Sequence, residues 1–238
     1  MSPRLLLINT ATPAGSIALT AGDQVLAELL LNLTTPHSDR LLPGIDQLLA
    51  ATGTTLAQLD GIGVVHGPGS FTGLRVGIAT AKGLALATGQ PLVGISSLQA
   101  LACQVPSSSL PVCALLDARK QEVYVGLFRW SEGRPQLQGR EGVADPERWL
   151  EDHGEETLFI GDGALVYRTL IVRRLGARAH FVPWPANPLR ISYAAPLVQA
   201  ALAAGEGDSA AELQAIYIRR SEAEIMQDRQ VGNAPLDG

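Results

Sequence analysis

The segment from His66 to Leu86, HGPGSFTGLRVGIATAKGLAL, places Gly67, Gly69, Gly73 and Gly77, the hydroxyls of Ser70 and Thr72, and Lys82 directly after an apolar run. A glycine-rich turn between a strand and a helix is a common phosphate site, because the free N–H groups of a helix N-terminus attract anions. The specific phosphate motifs fail on position. A Walker-type loop requires G-x-x-x-x-G-K followed by Ser or Thr, whereas Gly73 precedes Leu74 and Arg75, and Lys82 precedes Gly83. A dinucleotide loop requires G-x-G-x-x-G and an acid about twenty residues on; the spacing of Gly67, Gly69 and Gly73 differs, and PLVGISS offers no acid. Gly73, Gly77, Ala81, Ala85 and Gly89 recur at every fourth residue, a flat stripe that would let another helix approach to about 8 Å. On the residues alone both packing and anion binding stay open, with packing favoured.

Other reactive side chains lack the partners their chemistry needs. None of His37, His66, His153 and His180 stands four residues from another, as a helical zinc pair would require. Ser70 is not on a nucleophile elbow, since Pro68 and Thr72 occupy the glycine positions of G-x-S-x-G. Asn9 and Asp117 close two strands of similar pattern, where two-lobed ATPases use carboxylates to manage magnesium and water. An amide at Asn9 weakens that chemistry, and turn capping is the simpler role for both. No catalytic residue and no metal ligand is assigned.

These residues sit on elements that the pattern of apolar positions predicts. Strands are expected at Arg4 to Asn9, Gly15 to Thr20 and Gln24 to Leu31, as an antiparallel meander. Leu41, Leu42, Ile45, Leu48 and Leu49 then follow helical spacing, with Ser38 as N-cap, Pro43 in the first turn and Gly53 past the end. IGVVHGPGS reads as a buried strand entering the glycine loop, and Thr72 to Thr88 as a helix closed by Gly89. A strand at Pro91 to Gly94 and a helix at Ser96 to Cys103 complete a first half, residues 1–105.

Pro106 to Leu110 reads as a linker, after which the pattern restarts. A strand ends at Asp117 and another runs from Glu122 to Trp130; DPERWLEDHG is a capped helix, TLFIGDGA a strand, ALVYRTLIVRRLG a helix, HFVPW a short strand and PLRISYAAPLVQAALAAG a final long helix. Two halves of similar order predict a duplicated α/β fold, with the second lobe spanning 106–224 and a polar tail, 225–238, that should fray.

Apolar residues are 46% and charged residues 17% of the 238, so part of the uncharged surface is expected to be covered by another chain. The net charge of −5 and the lack of a basic block before the C-terminal arginines argue against RNA binding by the chain alone. Cys103 and Cys113 lie in or beside apolar segments and read as buried thiols of a reducing compartment. No run reaches the length of a membrane span, and Leu5 to Ile8 is too short for a signal-peptide core. A cytoplasmic protein is expected.

GPGSFTGLRVGIATAKGLAL, ISSLQALA, LDARKQEVYVGLF and YIRRSEAE resemble the bacterial TsaB (YeaZ) family of threonylcarbamoyladenosine biosynthesis proteins, with the likeness reaching about Glu224. The resemblance implies an actin-like, two-lobed ASKHA (ribonuclease H-like) fold. It also implies a part in making the threonylcarbamoyl group on the adenosine beside the anticodon of tRNAs that read ANN codons. In that family the chain is a non-catalytic scaffold. A paralogue of the same fold, TsaD, binds the metal and the threonylcarbamoyl-adenylate and pairs with it as a heterodimer. The small ATPase TsaE docks at their junction, tRNA is met only through the complex, and the isolated chain is a homodimer.

By motif alignment, the paralogue's two metal-binding histidines fall on Ser97 and Leu101, and its D-T-S or D-T-A loop on Asn9, Thr10 and Ala11. The family motif loop is Gly67, Pro68, Gly69, Ser70, Phe71, Thr72, Gly73 and Arg75. The expected partner face combines Leu41, Leu42, Ile45, Leu48 and Leu49 with Leu74, Gly77, Ile78, Ala81 and Ala85, so that Ile45→Glu should abolish pairing and spare the isolated fold. No cofactor is expected, and a nucleotide at the partner interface stays open. The competing readings are an ATP-dependent enzyme of the sugar-kinase kind and a peptidase. The Tyr217 to Arg220 segment either closes the fold or approaches tRNA, with fold closure favoured.

Overall fold

A computed structural model describes residues 2–32 and 37–219. Strand β1 (Arg4–Asn9) is Leu5, Leu6, Leu7 and Ile8 between polar ends, buried on both faces, as a central strand requires. It pairs antiparallel with β2 (Ala14–Ala21), which pairs with β3 (Gln24–Asn32), giving the expected meander. On its other side β1 runs parallel to β4 (Gly61–Gly67), and β4 to β5 (Leu92–Ser96), for a sheet order of β3-β2-β1-β4-β5.

The second half repeats this plan. β6 (Val112–Arg119), β7 (Glu122–Ser131) and β8 (Arg134–Leu137) form the meander, β9 (Gly142–Ala144) adds to β7, and β10 (Thr157–Ile160) and β11 (Ala179–Phe181) run parallel to β6. The order β11-β10-β6-β7-β8 is that of the first sheet with each strand replaced by its equivalent. This is the duplicated, actin-like plan.

Helices α1 (Leu41–Thr52) and α2 (Phe71–Thr88) cover one face of the first sheet. Ile17 and Val64 both oppose Ile8, and Gly44 lies against Ile17 while Gly77 lies near Val64. Both helices end as the sequence predicts, on Gly53 and Gly89 at φ 62° and 72°, the left-handed conformation that glycine adopts without a Cβ clash. Between the halves, α3 (Ser97–Cys103) starts on the cap of Ser96 and packs on β6, β7 and β8. The core is therefore continuous across the two halves, with Leu98, Leu101, Val112, Phe128 and Ile160 in the same apolar cluster as β1. A smaller cluster lies in the second half, where α4 (Pro146–Asp152), α5 (Asp162–Val166) and α6 (Arg168–Leu175) bring Leu150, Ala164 and Ile171 to Phe159.

Several expectations change. Ser38 does not cap α1; it lies in a 3-10 turn, His37–Asp39, and its hydroxyl donates to Asp39. The helix predicted over ALVYRTLIVRRLG breaks at Tyr167 into α5 and α6. The long final helix is a 3-10 turn, Ile191–Ala194, followed by α7 (Ala195–Ala203). α7 does not stay with the second lobe: Val198 and Leu202 press on Gly63 and Gly61 of β4, covering the first sheet from the other face. The lobe boundary at 105/106 thus divides strands but not layers. The tail 225–238 lies outside the described residues, and among those residues no helix is long and apolar enough to cross a membrane.

Candidate functional site

The glycine loop is filled by the chain itself. Gly67 and Gly69 hold φ of 145° and 159°, and a Cβ on either would stand 2.4 Å from a backbone oxygen, that of Ile216 or of Ala11. At Gly73 a Cβ would lie 1.9 Å from the Thr10 oxygen, and at Gly77 2.3 Å from Thr10 Oγ1. The N–H of Ser70 donates to the Ala11 carbonyl at 2.8 Å, and the Ser70 hydroxyl accepts from the N–H of Gly73 at 3.2 Å. The turn after β1 therefore sits against the α2 N-terminus and takes up donors that an anion would need. Packing, the favoured reading, is what the loop does, but the body that approaches the small-residue stripe is the Thr10 turn of the same chain and not a second helix.

That geometry corrects the expected partner face. Leu41, Ile45, Leu48, Leu74, Gly77, Ile78, Ala81 and Ala85 are all buried in this chain. Of the ten residues only Leu42, at 51%, is exposed, and Leu49 is half-buried. The outward faces of the same helices carry Leu42, Asp46 and Ala50 on α1 and Arg75, Ala79, Gly83 and Leu86 on α2. Leu86 is 76% exposed and nothing stands over Gly83.

A cleft of about 490 Å³ opens between the halves, where the turns after β1 and β6 face each other. Thr12, Asp117, Arg119, Asp162, Tyr217 and Arg219 are among its walls. Asn9 is fully buried; its amide donates to Thr12 Oγ1 and the Ala14 carbonyl and accepts from the Ala11 N–H at 3.0 Å. That is the turn-capping role, and it leaves Asn9 no free atom for a bound ion. Asp117 caps its own turn by accepting from the Arg119 N–H at 2.9 Å and pairs with that guanidinium at 3.3 Å. Burial pushes the Asp162 carboxyl above its ordinary value, opposed by backbone donors from Asp117 and Gly163. Among the described residues no three His, Cys, Asp or Glu side chains cluster to hold a metal. The residues present do not fit the magnesium nucleotide that the fold class implies, so no step through one is derived.

The segment after α7 crosses this cleft as a strap. The Ile216 N–H donates to the His66 carbonyl at 2.7 Å, and Tyr217 packs on Phe71 with centroids 4.8 Å apart. Arg75 lies 3.7 Å over the Phe71 ring and donates to Tyr217 Oη at 3.3 Å. Arg219 reaches the other half, donating to the Ala118 carbonyl at 2.9 Å and standing 3.3 Å from Glu122. Arg219 thus closes the fold, while Arg220 lies outside the described residues. Motif reading missed Asp162 and His37 as cleft walls, and gave the strap a fold-closing role without placing it on the cleft. The quoted blocks GPGSFTGLRVGIATAKGLAL, LDARKQEVYVGLF and YIRRSEAE carried the signal, since all three border the cleft.

Ser97 and Leu101, which the resemblance was expected to align with a paralogue's metal histidines, serve packing here. Ser97 is fully buried, with its hydroxyl donating to the Pro68 carbonyl, and Leu101 is fully buried in the core. Fold and cleft together define a two-lobed actin-like protein whose halves are latched by its own C-terminal strap.

The model of the family described as TsaD: tRNA N6-adenosine threonylcarbamoyltransferase matches residues 24–225. The tRNA threonylcarbamoyladenosine biosynthesis protein TsaB of Haemophilus influenzae is 32% identical, with 90% of this chain and 93% of that protein covered. TsaB of Bacillus subtilis is 32% identical over 73% of this chain and 77% of its own. A solved structure of YeaZ from Pseudomonas aeruginosa superimposes with a TM-score of 0.77 at 31% identity, covering 90% of this chain and 99% of that one. The chain belongs to the TsaB family.

Proposed function

We propose that this chain takes part in tRNA threonylcarbamoyladenosine synthesis as the non-catalytic partner of a TsaD transferase, serving as its dimerisation and activation scaffold together with TsaE on tRNAs that read ANN codons. The observation that carries the reading is the use of Ser97 and Leu101 for packing at the aligned metal positions. A buried leucine cannot ligate a metal. The TsaB names of its relatives support the pathway. The outward faces of α1 and α2, through Leu42, Ala79, Gly83 and Leu86, form the docking surface, for a second copy in isolation and for TsaD in the complex; small residues there allow close approach. tRNA is met through the complex.

The test is threonylcarbamoyl transfer to tRNA by TsaD and TsaE with threonine, bicarbonate, ATP and the adenylate-forming synthase, run with and without this chain. Transfer that requires the chain, with no ATP or peptide turnover by the chain alone, supports the scaffold. Undiminished transfer in its absence, or metal-dependent ATP turnover by the isolated chain, refutes it.

A further inference from the structure

The strap that crosses the cleft is seated on one titratable residue, His66. Asp208 and Leu92 exchange backbone hydrogen bonds of 2.6 and 3.3 Å, which starts the segment along β5, the edge strand of its sheet. Leu213, buried, then meets the His66 ring over Gly94 of β5, where a Cβ would stand 2.4 Å from His66 Nδ1 and 2.7 Å from Leu213 Cδ1. The His66 carbonyl accepts the Ile216 N–H, the only backbone–backbone bond that residues 214–219 make among the described residues. His66 thus holds the strap by its backbone and lies beside it by its ring. A segment held by one such bond, a few side-chain contacts and one buried leucine belongs to the low-stability end of a fold.

The charges around the ring come from few elements. On the strap, Asp208 acts on it directly, while Glu212 is taken up by the hydroxyl of Ser209. On α2, Arg75 is engaged with Phe71 and Tyr217, and the segment before β9 brings Glu141 to Ser96 at the end of β5. β5, α3 and α7 carry no charged side chain, and β1 carries Arg4 at its opposite end. Burial therefore dominates and holds His66 below its ordinary value, with the Asp208 charge opposing.

We propose that the strap is a proton-released latch: a proton taken up by the His66 ring frees residues 213–219 from β4 while both sheets stay folded. The seated strap disfavours charge on the ring, and the freed strap returns the ring to water. The freed state therefore binds the proton more tightly, and opening is favoured as pH falls below 6.5 through the value of the seated ring.

The test measures amide exchange at Ile216 and in β1 of the full-length 15N-labelled chain between about pH 7.5 and about pH 5.5, each rate divided by that of an unstructured amide at the same pH. Ile216 is expected to be at least about tenfold less protected than β1 throughout, and to lose about fivefold of its protection on acidification. In His66→Gln that loss should vanish at Ile216. A second measurement leaves His66 in place: in Leu213→Ala, which removes the side chain beside the ring, the His66 resonances should titrate closer to the ordinary value than in the parent. Three results overturn the proposal. They are protection at Ile216 equal to that of β1, so that the strap opens only with the whole chain; a pH response at Ile216 that is absent, or equal in His66→Gln; and a His66 titration that Leu213→Ala does not move.

Discussion

Thr10 Oγ1 donates to the Gly73 carbonyl at 2.7 Å, joining residues 63 positions apart in sequence. Because a Cβ at Gly77 would stand 2.3 Å from the same hydroxyl, two glycines of α2 exist to admit one threonine. The turn after β1 is packed against the first turns of α2.

Gly73→Ala should therefore be among the costliest small substitutions in the chain. Its Cβ would meet the Thr10 backbone oxygen at 1.9 Å, and overpacking against backbone costs about 3 kcal/mol or more. Thr10→Val, which removes only the hydroxyl, should cost about 1 to 2 kcal/mol. Urea unfolding of both checks this; an alanine at 73 within about 0.5 kcal/mol of the parent would contradict the contact.

Ile45→Glu should unfold the chain, since Ile45 is 1% exposed in the core and an unpaired buried carboxylate costs several kcal/mol, about 4 or more. Leu86→Glu and Leu42→Glu, on the outward faces, should leave stability within about 0.5 kcal/mol and weaken self-association. Thermal melts and light scattering separate the two effects. A folded but monomeric Ile45→Glu chain would restore the interface that burial excludes.

Stability should fall on mild acidification. Burial lowers the pKa of His66 below 6.5, with the Asp208 charge opposing, and burial also lowers that of His153, with Glu155 opposing and Arg178 reinforcing. The unfolded state then binds protons that the folded state refuses, so the contribution is intact above 6.5 and is lost as pH falls from there through the folded values. His66→Gln should flatten part of this slope between about pH 7.5 and pH 5. Equal slopes for parent and variant would assign the effect elsewhere.

Neither cysteine should react in the native chain. Burial pushes Cys103 up to about 12 and raises Cys113 well above its usual range, and thiol reagents attack the thiolate. Labelling of both is expected only in denaturant, and rapid native labelling of Cys113 would contradict its full burial.

Arg219→Ala should loosen the strap. The contacts to Ala118 and Glu122 are partly exposed and together contribute about 1 kcal/mol. Hydrogen exchange at the Ile216 amide, bound to the His66 carbonyl, should speed up while amides of β1 keep their protection. Unchanged exchange at Ile216 would mean that Leu213 and Tyr217 hold the strap without Arg219.

The meander of β1, β2 and β3 was legible within a residue or two, because alternating and all-apolar runs between glycine and aspartate turns have few other solutions. The C-caps Gly53 and Gly89 were legible for the same local reason. The break at Tyr167 and the short α7 were not, since each is set by what the segment packs on and not by its own periodicity. Asn9 ends β1 as read but is fully buried and not among the cleft walls, β6 runs past Asp117 to Arg119, and Asp162 and Tyr217 meet Asp117 only through the layering of the two halves.

By itself the sequence determined most of the strands, though not β8 or β9, the duplicated order and the loss of phosphate motifs, which depend on residue type and short-range spacing; the lack of ligands at Ser97 and Leu101 was read through the family resemblance. Only the tertiary structure decided which side of α1 and α2 is core. Leu41, Leu42, Ile45, Leu48 and Leu49 are equally apolar, and water is excluded as well by a sheet of the same chain as by a partner, because the hydrophobic effect has no direction. The small-residue stripe was equally undetermined: Gly73 and Gly77 admit any close neighbour, and the fold, by placing Thr10 at the end of the adjacent strand, chose which one.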